Sequence, residues 1–126
     1  MIRIVTIEHS DLASSEFVIL QNQGGLRVRL RGHVLLSETC LDHNSVSCHM
    51  FTDDVTINPG HFVILGTGQG PSRWVTLDDG RYAYQTFIGR ATPIWGREQL
   101  PLHVLSVQHS YEERACKKVL TGAAAG

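Results

Sequence analysis

Short apolar runs separated by turn-forming residues recur along the whole chain. Residues 2–7 are rich in β-branched side chains, and residues 17–20 are four consecutive apolar positions. Runs of this length, bounded by glycine, proline, asparagine and aspartate, are typical of β-strands. The pattern predicts strands at residues 2–7, 16–21, 26–31, 33–36, 62–65, 82–88 and 102–107, with a short strand or anchor at 49–51.

Glycine-containing sequences mark where the chain reverses. Asn-Pro-Gly at 58–60 predicts a type II turn, because proline presets one backbone angle and glycine accepts the positive φ that follows. Asp-Asp-Gly at 78–80 predicts another turn, and residues 66–71 are predicted to form a flexible loop. Many short strands with frequent turns predict an all-β sandwich or barrel.

Residues 26–31 alternate strictly between apolar and basic side chains. One face of the predicted strand carries its apolar residues, and the other carries three arginines about 7 Å apart. These arginines are Arg27, Arg29 and Arg31. The same reasoning, applied to two facing sheets, predicts inward positions at Phe17, Ile19, Val28, Leu30, Ile64 and Leu105.

The C-terminal segment has a different pattern. Ser110 and Glu113 have the spacing of a capping box, and the apolar residues that follow lie on one helical stripe as far as Gly122. We therefore predict a sandwich domain at 1–109 and a C-terminal helix or flexible tail at 110–126. A helix this short is only marginally stable alone and needs a surface to pack against. That surface is either the sandwich or a second copy of the chain, and the second case would make a homo-oligomer.

Composition narrows the function classes. The 126 residues suit one domain, and 11 basic residues balance 12 acidic ones, so no bulk charge draws the chain to DNA or to a membrane. The first residues are too short and too charged for a signal peptide, and no apolar run approaches the ~20 residues of a membrane span. A cytoplasmic location is expected, with free thiols because the cysteine count of 3 is odd.

Five short motifs, in order, resemble the lamin tail domain, an immunoglobulin-like β-sandwich of nuclear lamins that is also found in bacterial proteins. Glu-Phe-Val-Ile-Leu-Gln-Asn at 16–22 is similar to the family's Glu-Phe-Val-x-Leu-x-Asn, and Leu-Arg-Gly-His at 30–33 to its Leu-x-Gly-Trp. Three later motifs also match the family pattern. One is the Pro-Gly turn before the strand at 62–65, and two are similar to elements of the bacterial branch: Thr-Gly-Gln-Gly at 67–70 and Pro-Ile-Trp at 93–95.

The resemblance covers residues 2–109 and implies an immunoglobulin-like sandwich with protein or chromatin contacts. Two positions depart from the family pattern. His33 replaces the usual tryptophan of the Gly-Trp pair, which alters a core anchor. Residues 108–114 replace an acidic, glycine-containing final hairpin.

Candidate catalytic and metal-binding residues form no convergent set in the sequence. Seven histidines contain no HxH or HxxxH pair, and Cys40 and Cys48 lack the spacing of a zinc site. Neither GxSxG nor a P-loop is present, and Cys116 lies on the apolar stripe of the predicted helix. Trp95, Tyr82 and His33 are interpreted as core or hairpin anchors, and no metal or cofactor is expected.

Three hypotheses remain from the sequence. The first is a non-catalytic binding or structural module with a protein partner. The second is a module that binds nucleic acid or another polyanion through Arg27, Arg29 and Arg31, with Arg73 or Arg81 added. The favoured interpretation of this arginine row is that its charges keep an outward-facing strand soluble and prevent aggregation. The third, and least favoured, is an enzyme of unknown class, suggested by the histidines and Cys116.

Overall fold

A computed structural model describes residues 1–37, 48–95 and 101–106. This part of the chain is all-β, as predicted, with one short 3₁₀-helix at Ala13–Ser15. Its strands are β1 (Ile2–Glu8), β2 (Phe17–Asn22), β3 (Val28–Arg29), β4 (Val34–Ser37), β5 (Cys48–Met50), β6 (Thr56–Ile57), β7 (Phe62–Gly66), β8 (Arg73–Thr76), β9 (Tyr82–Phe87) and β10 (Leu102–Leu105). The C-terminal helix predicted at 110–126 lies outside the described residues.

The strands form sheets of five, three and two strands. The large sheet has the order β1-β2-β7-β9-β8, and the others have the orders β10-β4-β5 and β3-β6. Neighbouring strands are antiparallel except β7 and β9, which run parallel because β8 intervenes in sequence and pairs on the outer side of β9. In the described part of the chain, no helix is long and apolar enough to cross a membrane.

One apolar cluster lies between the large sheet and the two smaller ones, which makes the fold a β-sandwich. The large sheet contributes Val18, Leu20, Val63 and Leu65, all fully buried. The smaller sheets and their connections contribute Leu30, Leu35, Phe51 and Ile57, also fully buried. Burying each such side chain stabilises the fold by about 1.5–3 kcal/mol.

The predicted inward face of the large sheet is wrong by one position. Phe17, Ile19 and Ile64 are only half-buried, whereas their neighbours Val18 and Leu20 are completely buried. Leu30 is buried as predicted and Val28 is half-buried, but Leu105 is 51% exposed. Because successive residues of a strand point to opposite faces, a shift of one residue exchanges the two sets.

Two buried polar side chains bracket β2 on its inward face. The Oε1 atom of Glu16 accepts hydrogen bonds from Thr67 Oγ1 at 2.7 Å, Ile94 N at 3.0 Å and Trp95 N at 3.5 Å. Glu16 is 1% exposed, and its Oε2 atom has no hydrogen-bond partner among the described residues. The carboxylate therefore joins the start of β2 to two distant segments of the chain.

Asn22 closes the other end of β2 and is fully buried. Its Nδ2 atom donates to the carbonyls of Leu26 at 2.8 Å and Ile57 at 2.9 Å. Its Oδ1 atom accepts from the backbone nitrogens of Gly24 and Met1, each at 3.0 Å. One amide thus holds β1, the turn after β2 and β6 together, and all of its hydrogen-bonding capacity is used.

The type II turn at 58–60 is confirmed. His61 N donates to Asn58 O at 3.1 Å, and Gly60 has φ of 83°, the left-handed value this turn requires of its third residue. Two strands were not predicted, β6 and β8. β6 has only two residues, and β8 is an edge strand on which three of four side chains are exposed, so neither has a distinctive apolar pattern.

The glycine-rich segment after β7 is packed, and its prediction as a flexible loop is wrong. Thr67 and Gly68 are buried, and the carbonyls of residues 66–68 accept hydrogen bonds from the backbone nitrogens of residues 88–90. A Cβ atom at Gly66 would lie 2.7 Å from Phe87 Cδ2, and one at Gly70 would lie 2.5 Å from Phe87 Cε1. These glycines are there because the Phe87 ring lies against the backbone.

Gly66→Ala is expected to destabilise the protein by about 1–3 kcal/mol, since the new methyl group overlaps the Phe87 ring, which Gly70 blocks from the other side. Gly25→Ala is the matched control, because a Cβ atom there meets nothing within 4 Å. Urea unfolding of the two variants measures the difference. Phe87→Leu in the Gly66→Ala background should recover part of the loss, and equal stability of both single variants would contradict the packing.

Candidate functional site

The arginine row is placed differently from the prediction. The predicted strand at 26–31 is reduced to the two residues of β3, because its partner β6 offers only two residues for pairing. Arg27, Arg29 and Arg31 are all exposed, but Arg31 lies in the turn that follows, with Gly32. Leu26, on the predicted apolar face of that strand, is 80% exposed.

Two of these arginines line a groove of about 730 Å³ at the side of the sandwich. Arg27 and Arg29 lie on one wall, and Arg3, at the start of β1, joins them from the large sheet. The remaining lining residues are mostly apolar: Met1, Ile2, Leu26, Val28, His33, Val104 and Ser106. Within residues 1–37, 48–95 and 101–106, no aspartate or glutamate belongs to this lining. We call this feature the arginine groove.

Arg29 has a weak ion pair with Asp54, which lies outside the groove lining. Its Nε atom is 3.5 Å from Asp54 Oδ1, and the two side chains are 71% and 61% exposed. An ion pair this exposed stabilises a fold by only about 0–1 kcal/mol. A carboxylate from a ligand can therefore replace Asp54 at little cost, and Arg29 is available to the groove.

Sequence reasoning missed Arg3, since nothing in the pattern of β1 connects it with residues 27–29. His33 was interpreted as a core anchor, and the structure buries it to 4% exposure with Nδ1 3.1 Å from Leu30 O. The Nδ1 hydrogen therefore donates to this carbonyl, which fixes the tautomer. His33 forms part of the groove lining, and burial lowers the pKa of its imidazole below the ordinary value of 6.5.

A second imidazole, on β5, is also held neutral. Burial lowers the pKa of His49, although the charge of Asp53 opposes the shift. Its Nε2 atom is buried without a hydrogen-bond partner among the described residues, and its ring packs edge-on against Phe51 with centroids 4.9 Å apart. Protonating either histidine therefore costs more in the folded chain than in the unfolded one.

Stability is expected to fall as the pH is lowered from 7.5 to 5.5. The unfolded chain takes up protons on His33 and His49 near pH 6.5, but the folded chain takes them up only at lower pH, so acid favours unfolding. Melting temperatures measured across this range should decline, and less steeply in a His33→Gln/His49→Gln variant. A stability that rises towards pH 5.5 would contradict the sign.

A cluster of hydroxyl groups meets a carboxylate beside β9. Asp53 Oδ2 accepts hydrogen bonds from Tyr84 Oη at 2.8 Å and Thr86 Oγ1 at 3.1 Å, and Ser72 Oγ lies 2.7 Å from Thr86 Oγ1. Burial and the Asp53 hydrogen bond raise the pKa of the Tyr84 hydroxyl. Both hydroxyls that reach the carboxylate donate to it, so the cluster holds the segment after Phe51 against β9.

The other candidate residues are scattered. Within residues 1–37, 48–95 and 101–106, no group of three or more His, Cys, Asp and Glu side chains lies together to hold a metal ion. Cys48 is an exposed free thiol on β5, whereas Cys40 and Cys116 lie outside the described residues. Two further arginines were predicted to extend the arginine row. Arg73 is the first residue of β8 and Arg81 directly precedes β9, and neither lines the groove.

Of the three predicted anchors, two are buried and one is not. Trp95 is 4% exposed and His33 equally so, but Tyr82 is 48% exposed. It forms a second concave surface together with Trp74, which is 45% exposed and which the sequence did not single out.

The comparisons with protein-family models, with curated proteins and with solved structures gave no match.

Proposed function

We propose that the chain is a binding module of the lamin tail type, an immunoglobulin-like sandwich without catalysis, whose arginine groove receives an acidic segment of a protein partner. The observation that carries the proposal is the composition of the groove, in which Arg3, Arg27 and Arg29 stand among apolar side chains and no carboxylate lies among the described lining residues. The family assignment depends on the order of the five sequence motifs.

The cations of the groove favour carboxylates. A guanidinium group presents planar, paired donors that match a carboxylate, and it stays charged at every physiological pH. Three such groups, with no carboxylate in the part of the lining that the structure describes, leave positive charge that a ligand can neutralise. Asp or Glu side chains of a partner supply the complementary charge.

The apolar walls distinguish a peptide from a nucleic acid. Val28 and Val104, both half-buried, line the groove together with the arginines, and Leu26 in the same lining is largely exposed. A phosphate backbone gains nothing from these side chains, whereas a peptide that alternates acidic and apolar residues covers them. The groove volume of about 730 Å³ is also in the range of ligand sites, roughly 300–1,000 Å³.

The proposal is tested with three fluorescently labelled decapeptides, which alternate Glu with Leu, Glu with Ser, and Lys with Leu. The Glu/Leu peptide is expected to bind most tightly by fluorescence anisotropy, and Arg27→Gln/Arg29→Gln should weaken it about tenfold or more. Arg73→Gln/Arg81→Gln removes the same charge outside the groove and should change binding by less than about twofold.

Equal weakening by both double variants would show that only net charge matters and would contradict a groove site. Duplex DNA is measured in parallel as the alternative ligand. If DNA binds more tightly than the Glu/Leu peptide, with an affinity that falls steeply with salt and depends on Arg27, Arg29 and Arg31, the polyanion hypothesis replaces this one.

A further inference from the structure

A second concave surface adjoins the β3–β6 pair, where its Thr56 is the cross-strand partner of Arg29 from the arginine groove. It has a volume of about 290 Å³ and is lined by Thr56, Asn58, His61, Trp74 and Tyr82. We call it the aromatic patch. Trp74 and Tyr82 are about half exposed, although large aromatic side chains are among the most costly to leave in water.

The rings of the aromatic patch are held in place before any ligand arrives. Trp74 packs against Tyr84 with ring centroids 5.1 Å apart, and Tyr82 packs against His61 at 5.5 Å. The backbone N–H of Tyr82 donates to His61 Nδ1 at 3.4 Å, so the hydrogen of the neutral imidazole lies on Nε2. A surface whose side chains are already ordered loses little entropy when it binds.

The polar groups of the patch supply both donors and acceptors of hydrogen bonds. They are the Thr56 hydroxyl and the Asn58 amide, which donate and accept, and the His61 Nε2 hydrogen, which donates; the described lining residues include no Arg, Lys, Asp or Glu. Two nearby cations already have partners: Arg81 contacts Asp79 at 2.6 Å and lies over the Phe62 ring at 4.8 Å, and Arg29, opposite Thr56, pairs with Asp54 at 3.5 Å. A charged ligand therefore finds no counter-charge in this surface.

We propose that the aromatic patch binds a neutral carbohydrate. A sugar ring has an apolar face of C–H groups, which suits the electron-rich faces of Trp74 and Tyr82, and an edge of hydroxyls that donate and accept hydrogen bonds. Thr56, Asn58 and His61 match that edge. A proline-rich peptide would also use the ring faces, but proline residues offer acceptors only, which leaves the Asn58 carbonyl and the Thr56 lone pairs unused.

Tryptophan fluorescence reports directly on this site. The chain has 2 tryptophans, and because Trp95 is buried, a ligand at the patch changes the emission of Trp74. The protein is titrated with cellohexaose, xylohexaose, mannohexaose and N-acetylchitohexaose. At least one is expected to shift the emission to shorter wavelength, and Trp74→Ala should abolish this response while the Trp95 emission stays constant.

Calorimetric titration with the same sugars separates binding from folding. Asn58→Ala, at an exposed turn position, should weaken sugar binding about tenfold without changing the melting temperature. Tyr82→Phe keeps the ring face and should change the sugar affinity by less than about twofold. Arg3→Gln/Arg27→Gln changes two groove residues and leaves Arg29, the partner of Thr56, in place. It is expected to have no effect on sugar binding, so the two sites are tested independently.

The proposal is overturned if none of the four sugars changes the Trp74 emission at millimolar concentration. It is also overturned if sugar binding persists in the Asn58→Ala and Trp74→Ala variants. A decaproline peptide that binds where no sugar does would assign the patch to a proline-rich partner instead.

Discussion

Glu16→Ala is expected to destabilise the protein by about 3 kcal/mol, a large part of the stability of an ordinary domain, which is roughly 5–15 kcal/mol. The substitution removes an acceptor shared by Thr67 Oγ1, Ile94 N and Trp95 N in the buried interior. Leaving buried donors without their acceptor costs more than the hydrogen bonds contribute when formed. Urea unfolding followed by circular dichroism measures the loss.

Glu16→Gln and Thr67→Val are the matched controls for Glu16→Ala. The glutamine keeps an oxygen in the position of Oε1, and its amide replaces Oε2, which has no partner among the described residues. It should therefore be less destabilising than alanine. Thr67→Val removes one donor only, so its cost should be about 1 kcal/mol. If Glu16→Ala is no less stable than Glu16→Gln, the carboxylate does not hold these segments together.

Asn22→Asp is expected to be the second most damaging change, costing about 3 kcal/mol at pH 7 although the side chain keeps its shape. The new oxygen faces the carbonyl oxygens of Leu26 and Ile57, to which the amide donates at 2.8 Å and 2.9 Å. Two donors are lost, and an ionised group lies against two acceptors, a cost that the terminal ammonium of Met1, 3.0 Å from the other oxygen, offsets only in part.

The pH dependence of the Asn22→Asp deficit identifies its cause. A buried carboxyl beside carbonyl oxygens is more easily protonated in the folded chain than in the unfolded one, and the protonated form donates one hydrogen bond. The deficit relative to wild type should therefore shrink as the pH falls from 7 to 4. Asn22→Ala, which introduces no charge, should show a deficit that does not vary with pH; a constant deficit in Asn22→Asp would contradict the charge explanation.

These two residues explain why the sequence mispredicted the inward face of the large sheet. Glu16, Val18, Leu20 and Asn22 all point inward, because they alternate along one strand, and all are buried. A polar residue is normally assigned to the solvent face, and that rule favours Phe17 and Ile19 as the core positions. The assignment fails because distant backbone groups satisfy Glu16 and Asn22 within the fold.

The candidate site was predictable only in part. Arg27 and Arg29 stood out from their alternation with apolar residues, since that pattern is local in sequence. Arg3 belongs to the large sheet and comes close to Arg27 and Arg29 only in the folded chain, so no local sequence pattern predicts it. The aromatic patch was missed for the same reason, as Trp74 and Tyr82 are brought to His61 and Asn58 by strand pairing and by the turn at 58–60.

The sequence alone determined that the chain folds as β-structure, where most of its strands lie and how it turns at 58–60, because apolar runs and glycine or proline act over a few residues. The tertiary structure alone decided which face of β2 and β7 is buried, that the glycine-rich segment packs against Phe87, and which arginines share a groove. These outcomes depend on contacts between residues far apart in the chain, and their energies are set by burial and hydrogen-bond partners that exist only once the sheets have met.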